Sequence, residues 1–204
     1  MANLKVIALN CSLKGSDKES STGLLLAQIA KEFRKFGSSC KIVRVADLDI
    51  KPGVSSDEGD GDEWPGVRRG IVASDILVVG TPIWLGKPSS ICQKVLERLD
   101  AFLGETDARH RMPSYGKIAC VAVVGNEDGA HHVSAELYQA LNDVGFTIPA
   151  NAVSYWVGEA MGGTDYKDLE KTPKQVASAT AMLVRNAVHL AGMLKADQYP
   201  GLPE

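Results

Sequence analysis

A chain of 204 residues with 45% hydrophobic, 23% charged and 6% aromatic side chains is long enough to bury a core, and its composition excludes a disordered chain and a fibrous repeat. A formal net charge of −3 gives no broad attraction for phosphate backbones or anionic membrane surfaces, so nucleic acid is not an expected partner. No apolar run approaches the roughly 20 residues a bilayer crossing needs. The opening stretch reads as a strand rather than a signal peptide, so one cytoplasmic domain over 1–204 is expected.

Short apolar runs alternate with longer stretches of helical period, the pattern of β-α-β units stacked into a parallel sheet with helices on both faces. Strands are predicted over 4–9, 41–45, 75–80, 117–124 and from 146 to about 155; the first, third and fourth are almost continuous in Val, Ile, Leu and Ala, as doubly covered strands require. Helices are predicted over 23–36, 66–73, 90–102, 132–144 and 172–194. Ser90-Ile91-Cys92-Gln93 and Thr172-Pro173-Lys174-Gln175 fit capping boxes, the second with proline at the first helical position. Gly37 and Gly145 stand where a left-handed helix end wants no Cβ.

Residues 47–63 hold seven acids against Lys51, with Gly53, Gly59 and Gly61, and read as a solvated loop rather than a metal-binding one. Cys11, Cys40, Cys92 and Cys120 lie far apart with no Cys-x-x-Cys pair, so they are expected to be reduced, mostly buried thiols, with no zinc or iron–sulfur centre.

Ligands of an open parallel sheet bind beyond the carboxyl ends of the strands, which directs attention to the loops after the first, third and fourth. The first loop, 10–23, carries Ser12, Lys14, Ser16, Lys18, Ser20, Ser21 and Thr22 ahead of a helix. It lacks both Gly-x-Gly-x-x-Gly and Gly-Lys-Ser/Thr, which counts against a dinucleotide clasp and a P-loop. A phosphomonoester held by hydroxyls and helix N–H groups is one reading; a plain serine and threonine cap is the other. After the third strand, Thr81, Pro82, Ile83, Trp84, Leu85 and Gly86 present a large aromatic in a proline-bracketed loop. Trp84 either offers a flat surface to a heteroaromatic ring or packs beneath the loop. After the fourth strand come Gly125, Asn126, Glu127, Asp128 and Gly129, polar and glycine-punctuated at the same sheet edge. His131 and His132 project about 100° apart on a helix and are a poor metal pair. No Gly-x-Ser-x-Gly elbow or cysteine–histidine dyad is present, so a cofactor must carry the hard chemistry.

On these three segments the sequence resembles the flavodoxin-like FMN reductases, the NAD(P)H-dependent FMN reductase and NAD(P)H:quinone oxidoreductase group with its tryptophan-repressor-binding-protein-like and iron–sulfur-flavoprotein relatives. The resemblance spans roughly 3–150. It implies a flavodoxin-like doubly wound α/β fold with five parallel strands in the order 2-1-3-4-5. It also implies FMN, with its phosphate at Ser12, Lys14, Ser20, Ser21 and Thr22, one isoalloxazine edge and face at Thr81 to Gly86, and the pyrimidine side at Gly125 to Gly129. The implied activity passes hydride from NAD(P)H through the flavin to a small-molecule acceptor such as a quinone or free flavin, in a homodimer. The rival is a flavodoxin-type one-electron carrier, against which the slightly positive balance outside 47–63 argues. The cysteine motif of the iron–sulfur relatives is absent, and 157–168 reads either as a flap near the flavin or as a connection to the last helix.

Overall fold

The computed structural model describes residues 3–202. In chain order the elements are β1 (Lys5–Asn10), α1 (Ser21–Lys35), β2 (Ser39–Arg44), α2 (Trp64–Val72), β3 (Ile76–Trp84), β4 (Lys87–Pro88), α3 (Ser90–Leu99), β5 (Ile118–Gly125), α4 (Ala130–Asp143), β6 (Val153–Val157) and α5 (Lys174–Ala196). Five strands pair in parallel in the order β2-β1-β3-β5-β6. That is the flavodoxin-like 2-1-3-4-5 order once the two-residue strand β4, which pairs back on β3, is set aside.

Side-chain alternation along the strands divides the interior into two cores. Ile7, Leu9, Leu77, Val79, Val121 and Val123 face α2, α3 and α4, where they meet Trp64, Val95, Leu99 and Leu137. Val6, Ala8, Ile76, Val78, Cys120 and Ala122 face α1 and α5, where they meet Leu25, Ile29, Phe33, Leu183 and Ala187. Burial on both faces is why these strands read as continuous apolar runs. At Gly80 a Cβ would stand 2.7 Å from Leu26 Cδ1, so α1 packs on β3 only because no side chain intervenes.

Several expectations change. Strand β3 runs four residues past Gly80, because β1 ends opposite Gly80 and leaves one side of the strand without a ladder to break, where Pro82 is tolerated. The cap of α3 is Ser89, whose Oγ accepts from Cys92 N at 3.1 Å, one residue ahead of the expected Ser90. For α5 the N-cap is Pro173 with no side-chain cap, and Thr172 Oγ1 instead accepts from Gln28 Nε2. Gly37 and Gly145 do take the left-handed conformation, at φ 74° and 92°. All four cysteines are free, three of them buried.

The acidic stretch is not merely solvated. The fully buried Arg98 of α3 donates from Nε to Ser55 O (3.0 Å), from Nη1 to Lys51 O (2.9 Å) and from Nη2 to Asp62 Oδ2 (2.7 Å). Asp62 also accepts backbone N–H groups from Lys51, Glu58 and Trp64. Burial alone would raise its carboxyl; the Arg98 contact and those three N–H groups more than offset that and hold it well below the usual range. Among the described residues no group of acids, histidines and cysteines could hold a metal ion.

Candidate functional site

β1 feeds α1 on one face of the sheet and β3 feeds α3 on the other, so their carboxyl ends part. A crevice opens there beyond the carboxyl ends of the strands, with its mouth open to solvent.

One end is built from hydroxyls. Ser12 is buried, its N–H bonded to Asn10 Oδ1, and its Oγ accepts from Lys14 N at 3.1 Å. Ser20 is the N-cap of α1, its Oγ accepting from Gly23 N at 2.9 Å; Ser21 and Thr22 are the first helical residues. Ser20 therefore caps the helix, as the plain-cap reading expects, and also lines the crevice. The first turn of α1 carries no acidic residue, so the positive end of the helix meets the crevice unopposed from its own sequence. Ser12, Lys14, Ser20, Ser21 and Thr22 all line it.

The second wall is a hairpin. Trp84 closes β3, and Leu85 and Gly86 turn the chain into β4 with φ 52° and 74°, both positive as a two-residue I′-type turn demands. Trp84 is 54% exposed, which removes the core alternative, and it lines the crevice with Pro82 and Ile83. The third wall is Val124, Gly125, Asn126 and Glu127, at the end of β5. Glu127 Oε1 accepts from Gly86 N at 3.1 Å, and a Cβ on Gly129 would lie 2.9 Å from Gly86 Cα, so the second and third loops are packed backbone to backbone.

Five expected residues stand outside the crevice wall. Thr81 is fully buried, its Oγ1 donating to Pro82 O and accepting from Ser89 N, which anchors the start of α3. Leu85 is 94% exposed at the turn tip, Gly86 makes that turn, Asp128 is exposed, and Gly129 supplies the close approach to Gly86.

The reading of the sequence singled out neither Leu13 nor Trp156, and held Asp165 and Tyr166 only within 157–168 as a flap or a connection; all four line the crevice. The last three belong to a segment that crosses from one end of the crevice to the other. Near β5, Gly158 N donates to Gly125 O, Met161 N to Asn126 O, and Asn126 Nδ2 to Gly162 O at 2.7 Å. At the far end Lys167 N donates to Ser21 Oγ at 3.2 Å, and Tyr166 OH donates to Gln28 Oε1 at 2.6 Å while its ring packs on Trp156. Asn126 thus commits one amide N–H to this segment. Burial pushes the Tyr166 phenol up, only partly opposed by contacts with Thr172 and Gln28, so it stays protonated at neutral pH.

No group here is an activated nucleophile. Cys11, beneath the first loop, is held well above the usual thiol range by its contact with Cys92 and by complete burial. His131 Nε2 lies 3.2 Å from Tyr155 OH, while His132 Nε2 lies 3.0 Å from Glu136 Oε1 and 2.8 Å from Lys87 Nζ, so the two histidines serve different neighbours.

Comparison with known proteins agrees with this fold. An 8-demethyl-8-aminoriboflavin-5'-phosphate synthase of Streptomyces davaonensis is 34% identical over 96% of this chain and 80% of its own length. The crystal structure of RosB with bound 8-demethyl-8-formylriboflavin-5'-phosphate superposes with a TM-score of 0.87 at 33% identity, covering 97% of this chain and 82% of that one. An NADH:FMN oxidoreductase, EmoB, shares the fold at a TM-score of 0.67 and 19% identity over 98% of this chain and 95% of that one. Residues 4–162 match the family model of NADPH-dependent FMN reductase, and the chain belongs to that family of flavin-dependent oxidoreductases.

Proposed function

We propose that the chain is an FMN-dependent oxidoreductase that takes hydride from NAD(P)H and delivers it to a flat small-molecule acceptor such as a quinone or free flavin. The observation that carries this reading is the convergence of Ser12, Ser20, Ser21 and Thr22, of Trp84, and of Gly125 to Glu127 on one crevice at the β1/β3 parting. The residues fit the group: hydroxyls and the acid-free N-terminus of α1 suit a phosphomonoester, and Trp84 suits a fused ring.

FMN, when bound, supplies the hydride-accepting and hydride-donating chemistry, and the chain supplies position and electrostatics. Ser12, Ser20, Ser21 and Thr22 would hold the phosphate. Asn126 Oδ1 and the Gly125–Glu127 backbone would meet the polar edge of the ring. Trp84, half exposed, would flank the ring while leaving the crevice mouth open to a second flat molecule.

Anaerobic addition of NADH or NADPH to the FMN-loaded protein tests the reading. The expected result is loss of the yellow absorbance and its return when a quinone is added. Absorbance that survives both nucleotides overturns it.

A second reading rests on the 34% identity to the aminoriboflavin phosphate synthase. Here riboflavin 5'-phosphate in the same crevice is a substrate changed on its ring. Mass spectrometry of the flavin recovered after turnover separates the two: an unchanged mass belongs to the reductase, an altered mass to the ring-modifying enzyme.

A further inference from the structure

Two residues at the mouth of the crevice combine backbone strain with exposure. Leu85 takes φ 52° with 94% of its surface exposed, and Met161 takes φ 65° with 91% exposed; they are the two most exposed large hydrophobic residues among those described. The other two non-glycine residues with positive φ, His110 and Asn151, are of types that enter this region readily. A leucine and a methionine pay for it, and an aliphatic side chain offered to water adds no stability in return.

The two come from distant segments, yet both are pinned to consecutive residues of the loop after β5. Gly86 N, next to Leu85, donates to Glu127 Oε1 at 3.1 Å, and Met161 N donates to Asn126 O at 2.9 Å. Asn126 and Glu127 line the crevice, as does Trp84 on the other side of Leu85 in sequence, so both tips stand at its rim. Leu13 and Trp84, each half exposed, continue the apolar rim on the first and second loops. The charges on the segments that join the two tips are of one sign. Residues 124–129 and 158–162 hold Glu127, Asp128 and Glu159 and no lysine or arginine. Lys87, the cation nearest to Leu85 in sequence, is engaged by Glu136 and His132.

We propose that Leu85 and Met161 are specificity-determining residues for the electron acceptor, an apolar rim that takes an uncharged, alkyl-substituted quinone and rejects an anionic acceptor such as a free flavin phosphate. The inference deepens the reductase reading above and rests on it. Aliphatic side chains held in a costly conformation at the mouth of a binding crevice are kept there by what they touch when it is filled. Covering them with the alkyl groups of the acceptor removes apolar surface from water on both molecules, whereas the three carboxylates on the adjoining segments oppose a phosphate or sulfonate. The reaction balances without a further reagent: the quinone gains hydride from NAD(P)H and a proton from solvent and leaves as the hydroquinone.

The test is calorimetric binding of 2-methyl-1,4-naphthoquinone and of 1,4-naphthoquinone-2-sulfonate to the oxidised, FMN-loaded full chain, alongside KM for each with NADPH. The parent chain is expected to prefer the methyl compound by roughly tenfold, and Leu85→Asn and Met161→Asn should each remove most of that preference. Asparagine accepts the left-handed region, so neither change threatens the fold. Leu85→Met and Met161→Leu, which keep apolar bulk, should retain the preference. Equal affinity for the two quinones in the parent, or a preference that survives in both asparagine variants, overturns the proposal. So does a fall in molar mass by sedimentation in either variant, which would mean that a second copy of the chain covers the rim. The calorimetry needs no nucleotide. A protein whose yellow absorbance survives NADH and NADPH, but which still selects the methyl compound, would sink the reductase reading and leave the selectivity of the rim standing.

Discussion

The backbone N–H of Gly86 donates to Glu127 Oε1 at 3.1 Å, joining the tip of the β3–β4 hairpin to the loop after β5 across 41 residues of sequence. This bond fixes the height of Trp84 relative to Asn126, because the hairpin has only the two-residue strand β4 to hold it otherwise. Glu127→Ala removes the acceptor and should weaken FMN by about 1–2 kcal/mol. Glu127→Gln keeps an oxygen in the same place and should recover most of that loss. Fluorescence titration with FMN checks both; equal weakening in the two variants would mean that the negative charge, not the latch, matters.

Trp84 is half exposed, so its removal leaves no cavity in either core. Trp84→Ala should therefore leave the melting temperature of the flavin-free protein unchanged while weakening FMN by about 1–3 kcal/mol, the scale of base-on-aromatic stacking. A variant that loses stability instead would return Trp84 to a structural role.

Phosphate recognition and helix capping can be separated because the cap falls on Ser20 alone. Changing Ser21 and Thr22 together to alanine spares that cap and should weaken FMN at least tenfold more than riboflavin, which lacks the phosphate. Ser21 also holds the Lys167 N–H, so the 157–168 segment should become more susceptible to proteolysis in this variant. Equal losses for FMN and riboflavin would count against the phosphate assignment.

How much of this was legible in the sequence follows from the range of the interactions. Strands buried on both faces announce themselves as apolar runs, so the doubly wound order and the three loops could be read locally. Eleven of the sixteen residues expected at the site line the crevice. The failures are non-local or depend on one hydrogen bond. Asp165 and Tyr166 lie in 157–168, which the sequence offered only as a flap or a connection, and neither residue could be singled out because Tyr166 is placed by Gln28, 138 residues away. Trp156 alone had a usable signal: the predicted strand ended near residue 155, one position short of an aromatic that continues its alternation. Ser89 displaced Ser90 as the cap of α3 because its Oγ also donates to Cys11 O at 2.6 Å, tying the helix start to β1's loop, a choice that adjacent serines hide. Arg98 likewise gives no sequence sign that it would be buried against the acidic stretch.

The turn of the hairpin carries strain in Leu85, a bulky residue at φ 52° whose side chain is 94% exposed and gains nothing from packing in return. Leu85→Asn or Leu85→Gly should relax it and raise stability by roughly 1 kcal/mol, read as a higher midpoint in urea. The same substitution tests whether the exposed leucine serves binding at the crevice mouth: acceptor turnover that falls while stability rises would show that the strain is kept for function.

Arg98 sets the acid behaviour of the fold. It and Asp62 are both fully buried side chains, and Asp62→Asn leaves the guanidinium charged with only carbonyl partners. The expected cost is about 3–5 kcal/mol, the scale for stripping one member from a buried pair. Because Asp62 is held below its unfolded value, its contribution is complete above the ordinary aspartate range near roughly pH 4 and is lost as pH falls toward the folded value. Urea unfolding at a series of pH values should show a steep fall in stability below roughly pH 4 in the parent chain and a shallower one in Asp62→Asn. Parallel curves for the two proteins would mean that other carboxylates carry the acid sensitivity and that the Arg98 contact with Asp62 is energetically neutral.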